Sequence, residues 1–314
     1  MLNKHELALN LIDSVGISRA TSRHDFYAMG THFYFVAVNT SPEVFETLEM
    51  RTRELESCWT RFSLDSELMQ LNLSRGAKRT VSSDLTILLT EMIRGYELTE
   101  GRFNPSVLPT LMRHGFVTDD DVLNSSVMRE DTCVGSLTDI TVNREEHTAQ
   151  LPLGMMLDAG GIGKGLAADL LAEQAIELGA GGIAVFAGGE VAVRGQAPTG
   201  GGWTIGVQNP WDANDVLDVV ELARGGIATS SSEARTMNDS HHLIDPKTSE
   251  SFQTDIVQAT VLCDRATDAE VLTKACFAHN HTAALAMVKE AGAQALLVTN
   301  DGAIHRSDGW EDYT

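Results

Sequence analysis

The sequence predicts an α+β fold. Two kinds of segment are present, one with apolar residues at alternate positions and one with apolar residues at helical spacing. They mix without the strict strand-helix-strand rhythm of a doubly wound sheet. With 314 residues and 43% hydrophobic positions, the chain can bury a large core as one domain or two interlocked lobes.

The segment FYAMGTHFYFVAV, 26–38, has strand composition and reads as a strand feeding a helix, which Ser41 can cap with Pro42 at its first position. A second helix begins after Ser82 or Ser83. It carries Leu85, Leu88, Leu89, Met92, Ile93 and Tyr96 at helical spacing until Gly101. The two prolines of RFNPSVLPTLMRHGF, 102–116, argue for a loop without regular structure, and short alternating strands are expected over 138–152 around a polar tip. From Leu157 a glycine turn opens a helix with Leu166, Leu170, Leu171, Ala175 and Ile176 on one face up to Gly179. GIAVFAGGEVAVRG reads as two strands about Gly188-Gly189, with further strands at WTIGVQ, LDVVEL and IVQATVL. Helices near 268–278 and 282–291 precede a hairpin across Asn300-Asp301-Gly302, and the APTGGGW stretch, 197–203, is the one linker-like segment.

The balance of 23 basic against 44 acidic residues gives a formal charge of −21, which argues against nucleic acid and anionic lipid as partners. Any phosphate ligand then requires local cations, a helix N-terminus or a metal to reverse the potential. No apolar run is long enough for membrane insertion, and the charged, amphipathic MLNKHELALNLIDSVGISR points to a cytoplasmic protein. Cys58, Cys133, Cys263 and Cys276 form no CxxC pair and read as buried free thiols.

Four segments could carry chemistry. In LDAGGIGKGLAADLLAE the glycines allow backbone N–H groups to approach phosphate oxygens, and Lys164 adds a full charge. A Walker A loop fails twice here, at Asp158 and Gly165, and a dinucleotide fingerprint fails at Leu166; the plain alternative is a helix start with a solvated lysine. TSSSEAR, 229–235, and HHLIDPKT, 241–248, bring hydroxyls, an arginine, histidines and a carboxylate close in sequence. That is material for general-base catalysis, or for a structural Asp-Pro turn. Glu270 and Lys274, four apart on a helix, would ordinarily be a surface ion pair, and His279 and His281 would face solvent without a role.

In order, these pieces resemble the ApbE family of FAD:protein FMN transferases. The resemblance is carried by Met29-Gly30-Thr31, RFSLDSELMQLN (61–72), GRFNPSVLP (101–109), DAGGIGKGLAAD, AGGE (187–190), ATSSSEAR with HHLIDP, and AEVLTKA (269–275). It implies mixed sheets with flanking helices in two intertwined lobes, an N-terminal extension over 1–24 and a flavin transferase domain over 25–314. It also implies that Met29 and Phe62 border the flavin and nucleotide, and that Arg102, Phe103 and Asn104 touch the dinucleotide, with Asn104 in place of the usual Asp. Asp158 and Lys164 would bind FAD, Gly161 would offer its carbonyl to a metal, and His242 would be the general base. The base would deprotonate a Thr or Ser hydroxyl of an acceptor flavoprotein, which attacks the flavin-side phosphorus and expels AMP. A non-catalytic FAD store and an FAD pyrophosphatase are the alternatives.

The family places Mg²⁺ on an Asp and a Thr four residues later; this chain has Glu270 and Lys274 there. A protonated lysine cannot ligate magnesium. Lys274 could pair with Glu270 and itself neutralise the pyrophosphate; magnesium could still enter through Glu270, water and phosphate; or the Thr273 hydroxyl could reach in. The first is favoured, because an ammonium repels a dication strongly in a dry site.

Overall fold

The computed structural model describes residues 20–116, 132–212, 214–234, 236–237 and 240–314. Residues 1–19 of the expected N-terminal extension and Arg235 of TSSSEAR lie outside the described residues.

In chain order, β1 (Thr21–Ala28) and β2 (Thr31–Val38) precede α1 (Pro42–Trp59) and the short α2 (Glu67–Asn72). Strand β3 (Arg79–Thr80) comes before α3 (Ser83–Leu98), and α4 (Leu108–Arg113) before β4 (Thr141–Asn143) and β5 (Thr148–Gln150). Helix α5 (Gly163–Glu177) leads to β6 (Gly182–Ala187), β7 (Glu190–Gly195), β8 (Trp203–Gln208), β9 (Val216–Leu222) and β10 (Gly225–Ser231). Then follow β11 (Thr236–Met237), β12 (Ser240–His241), β13 (Ile256–Cys263), α6 (Ala266–Cys276), α7 (His281–Glu290), β14 (Gln294–Thr299) and β15 (Ile304–Arg306).

The chain divides into two units that alternate along the sequence. The first comprises Met1–Arg53, Lys164–Ser231 and Asp255–Thr314; the second comprises Glu54–Gly163 and Ser232–Thr254. The first is built on an eight-stranded sheet in the order β1-β2-β6-β7-β10-β13-β14-β15, every neighbouring pair antiparallel. Tyr34, Val36 and Val38 of β2, with Ala184, Phe186, Val191 and Val193, pack against Trp203, Ile205, Val207, Val220 and Leu222 of the β8-β9 hairpin. The alternate residues Phe33, Phe35, Ala37 and Val185 are fully buried as well, so neither face of these strands meets water. That is why GIAVFA reads as an unbroken apolar run rather than an alternating one. Helix α6 lies against β10 and β13 of this sheet, which fixes the place of Glu270 and Lys274.

The second unit holds α2, α3, α4 and the small sheet β3-β5-β4. Ser82 caps α3 by accepting the Leu85 N–H, and the helix buries Leu85, Leu88, Leu89 and Met92. Burying each such side chain contributes about 1.5–3 kcal/mol. Met69, Leu108, Met112 and Met156 form a further cluster that supports the chain ahead of the glycine turn.

The α+β class is as the periodicity implies, and the structure corrects several local readings. The segment 26–38 is not one strand but the end of β1, a turn and β2. Met29 and Gly30 both have positive φ, 50° and 70°, which is the backbone of a tight hairpin turn. The proline-bearing segment 102–116 is not irregular. Pro105 starts a 3₁₀ turn over Pro105–Val107 and Pro109 lies in the first turn of α4, where neither is asked for an amide proton. The APTGGGW stretch links no domains; it joins β7 to β8, Trp203 lies within β8, and the Gly202 N–H is held by Glu221. Of the four free thiols only Cys276 is fully buried, and Cys133 is exposed.

Candidate active site

The first unit contains a compact group of opposite charges. Lys164, in the first turn of α5, donates to Glu270 Oε1 at 2.7 Å and lies 2.9 Å from Glu190 Oε1. Glu190 begins β7 immediately after the Gly188-Gly189 turn, and Glu270 sits in the middle of α6. Lys274, one turn further along α6, places its Nζ 3.8 Å from Glu270 Oε1 and 4.0 Å from Glu190 Oε1, and donates to Ser230 Oγ at 2.6 Å. The carboxylates are 0% and 3% exposed, whereas Lys164 and Lys274 keep 19% and 15%. The pair 270/274 is therefore not on the surface, and Lys164 is not a solvated lysine. Burial alone would lower the Lys164 pKa, but Glu190 and Glu270 outweigh it and hold the ammonium above its usual range. Burial raises Glu190 above the ordinary carboxylate value in spite of Lys164. For Glu270 burial acts the same way, yet Lys164 and Lys274 prevail and hold it below that value.

Glu270 Oε2 accepts the Gly165 N–H at 2.7 Å, so the carboxylate satisfies one of the open donors in the first turn of α5. Residue 165 must be glycine for the helices to meet this closely. A Cβ there would lie 2.5 Å from the Ala266 carbonyl oxygen and 3.1 Å from Glu270 Oε2.

Glu190 Oε2 is buried without a hydrogen-bond partner, but the donors at Glu270 and Thr273 do not fit magnesium. Both Glu270 oxygens are already engaged by N–H donors, and the Thr273 hydroxyl is held by the Glu270 carbonyl and Ser230 Oγ, each at 2.7 Å. A dication sharing these carboxylates with two ammonium groups would meet repulsion on the order of 8 kcal/mol per lysine at ~4 Å and an effective dielectric of ~20. Among the described residues no group of three or more His, Cys, Asp and Glu side chains is arranged to hold a metal ion.

The second unit holds most of the remaining candidates. Asn72, the last residue of α2, accepts the Leu157 N–H at 2.8 Å and donates to the Leu157 carbonyl at 2.9 Å, pinning the residue before Asp158. The Asp158 N–H is bound to the Pro105 carbonyl at 2.9 Å, so the GRFNP segment and the glycine turn are tied by backbone. The Asp158 carboxylate lies 3.5 Å from Arg61 Nε, and the Arg61 guanidinium also sits over the Phe62 ring, 4.7 Å from its centroid. Arg61 Nη2 donates to the Phe116 carbonyl, while Nη1 is buried with no hydrogen-bond partner. Phe62 itself is 48% exposed, a flat apolar face of the kind an aromatic ring stacks on.

Other expected residues are engaged in the local fold. Asn104 caps the 3₁₀ turn, accepting from Ser106 N–H and Oγ and donating to the Gly135 carbonyl at 3.0 Å. Phe103 is buried and Arg102 pairs with Glu100 at 2.8 Å. Gly161 is half-buried in the turn ahead of α5. His242 is half-buried with the Phe116 ring edge-on at 6.5 Å. Asp245, three residues on, takes the Lys247 N–H in a turn that closes with the Ser249 N–H on its carbonyl, so this carboxylate serves the turn. Met29 belongs to the first unit, half-buried at the β1-β2 turn. His281 does have a carboxylate partner: its Nδ1 lies 2.5 Å from Asp255 Oδ2, and its ring stacks on His305 at 4.0 Å.

Sequence reasoning assigned no role to Glu190, Ser230, Asn72 or Arg61, although all four lie in the quoted motifs. The only local signal was an acid directly after a glycine turn and a hydroxyl run ahead of the HHLIDP segment.

The first unit thus carries a helix start whose glycine and lysine are gripped by buried carboxylates, and the second, taken by itself, a turn region with an arginine over an exposed aromatic ring. The sequence profile of the ApbE family matches residues 29–297, and the chain belongs to that family. Named relatives include the FAD:protein FMN transferase of Treponema pallidum, 29% identical over 270 residues that make up 79% of this chain and 75% of that one. The enzyme of the same name from Escherichia coli K12 is 24% identical over 83% of this chain and 78% of its own. The crystal structure of the ApbE protein of Thermotoga maritima superposes with a TM-score of 0.82 at 24% identity, covering 94% of this chain and 99% of that one. The flavin transferase ApbE of Vibrio cholerae gives 0.78 at 21% identity, over 94% and 100%. At these identities the structures speak for the fold.

Proposed function

We propose that this protein is an FAD:protein FMN transferase. The reading is carried by the family match across residues 29–297, together with relatives bearing that name that align over most of the chain. The reaction joins a Thr or Ser hydroxyl of an acceptor flavoprotein to the flavin-side phosphorus of FAD. A new O–P bond forms, the bridging P–O bond of the pyrophosphate breaks, AMP leaves, and the hydroxyl proton passes to His242. Such a displacement needs an in-line nucleophile, a base and cations facing the charge that builds on the leaving group.

Lys164 and Lys274 are assigned to the pyrophosphate, Asp158 with Arg102, Phe103 and Asn104 to the dinucleotide, and Met29 and Phe62 to its aromatic rings. Arg61 joins them, since its buried Nη1 is a donor waiting for an acceptor. Gly161 and Glu270 are the positions where the family pattern seats Mg²⁺, and the hydrogen bonds at Glu270 argue against that ion here. A cytoplasmic location belongs to the same reading, and it implies an acceptor that is cytosolic or loaded before export. No described helix is long and apolar enough to cross a membrane.

Incubation with FAD and a flavin-accepting domain of an electron-transfer protein should add the mass of FMN to that domain and release AMP. His242→Ala should lower the rate by about 10²–10⁴-fold while FAD still quenches on binding. AMP released at the full rate without an acceptor would identify a pyrophosphatase instead. Tight FAD binding with neither product would mark a storage protein.

A further inference from the structure

Magnesium's usual task at a pyrophosphate is to place positive charge on the oxygens where charge accumulates. In this chain that charge is already built into the protein. Of the four charged side chains gathered around Glu270 Oε1, the two acids are 0% and 3% exposed, and the two that keep some exposure are the lysines, Lys164 at 19% and Lys274 at 15%. The position that resemblance assigns to a metal-binding hydroxyl is filled by Lys274, and its neighbours are arranged around an ammonium. Ser230 Oγ accepts from Nζ at 2.6 Å, and Glu190 and Glu270 stand 3.8–4.0 Å away. The Thr273 hydroxyl donates to the Glu270 carbonyl, is bonded to Ser230 Oγ and accepts from Lys274 Nζ at 3.4 Å. Each Glu270 oxygen already accepts a hydrogen bond, from Lys164 on one and the Gly165 amide on the other.

We infer that Lys274 does the work of the divalent metal, so that FMN transfer by this protein proceeds without one. The inference rests on the transferase reading and deepens it. A fixed ammonium differs from a bound dication in one practical respect: it is covalently attached, so chelators cannot remove it. It also differs in charge, which makes the site selective for a ligand bearing its own pyrophosphate dianion without an accompanying Mg²⁺.

The test separates the two ideas by using two readouts on the full chain. The first is titration of Mg²⁺ into the protein already saturated with FAD, followed by calorimetry. Wild type should give no one-to-one isotherm, whereas Lys274→Thr, which restores the hydroxyl and removes the repelling charge, should give one. The second is FMN transfer to the flavin-accepting domain in EDTA and in Mg²⁺. Wild-type rates should agree within about twofold, Lys274→Thr should lose about tenfold or more in EDTA and recover in Mg²⁺, and Lys274→Met should lose as much and not recover. Circular dichroism of each variant guards against a folding defect, and Lys274→Arg, which keeps the cation, should retain more of the wild-type transfer rate in EDTA than Lys274→Met does, a comparison that does not depend on Lys274→Thr folding.

Stoichiometric Mg²⁺ binding by wild type, or abolition of its transfer by EDTA with rescue by Mg²⁺, overturns the inference. If wild type shows no transfer in either condition, the transferase reading fails. The calorimetric comparison then still decides, through binding alone, whether Lys274 excludes the metal.

Discussion

Lys164 is held by two carboxylates from distant parts of the chain, one of them 106 positions away, and the three groups share one buried space. Their titrations oppose each other. Burial raises the folded-state pKa of Glu190 above its ordinary 4.5, so the folded protein retains a proton that the unfolded chain has released. That contribution to stability is complete below about pH 4.5 and is lost as the pH rises through the folded-state value. Glu270 is lowered instead, so its contribution is complete above its ordinary value and is lost as the pH falls through the folded one. Glu190→Gln cannot ionise, and its stability relative to wild type should therefore climb as the pH is raised from about 4.5 toward neutrality. Urea unfolding at stepped pH reads this directly; a difference that stays flat with pH would mean that Glu190 titrates as an ordinary surface acid. Sequence alone exposed Lys164 as a cation at a helix start and Glu270 as an acid with Lys274 one turn on. It could not reveal that Glu190 meets them, because apolar periodicity reports which face is buried and not which charged side chains meet across the fold.

At the scale of elements the legibility was better, and its failures have local causes. Helices α3 and α7 were visible because apolar spacing, a capping residue and a following glycine agree, α5 from its opening glycines and apolar positions, and α6 from its apolar positions alone. Helix α4 was hidden by prolines that occupy the only part of a helix where they do no harm. The β1-β2 hairpin was hidden because methionine occupies a left-handed position, at φ 50°, where Asn or Gly would have announced a turn. A non-glycine residue there carries about 1–2 kcal/mol of strain. Met29 is the residue assigned above to the flavin rings. Met29→Asn, giving the Asn-Gly pair that such turns prefer, should raise stability by about 1 kcal/mol and weaken FAD binding. Chemical denaturation with parallel FAD fluorescence titration measures both. A variant that gains stability and binds FAD as tightly as wild type would release Met29 from the ligand, and one that gains none would show that the turn is unstrained.

For the whole molecule, the net charge of −21 and the local ammonium pair act on FAD in opposite ways at different distances. Far from the protein FAD meets a repelling field, since both partners are anionic and the formal excess of acids is spread over the chain. Close in, Lys164 and Lys274 present the accessible face of their cluster, and partly buried charges are screened little by salt. The screening length falls from about 30 Å at 0.01 M to about 8 Å at 0.15 M ionic strength, which removes the distant repulsion first. The association rate of FAD should therefore rise several-fold across that interval, while its dissociation rate changes less. This is the reverse of the usual behaviour for a nucleotide bound by a basic surface. Stopped-flow flavin fluorescence at stepped NaCl separates the two rates. A falling association rate would show that the lysines govern the approach as well as the contact, and that the acidic surface lies too far from the path of the ligand to matter.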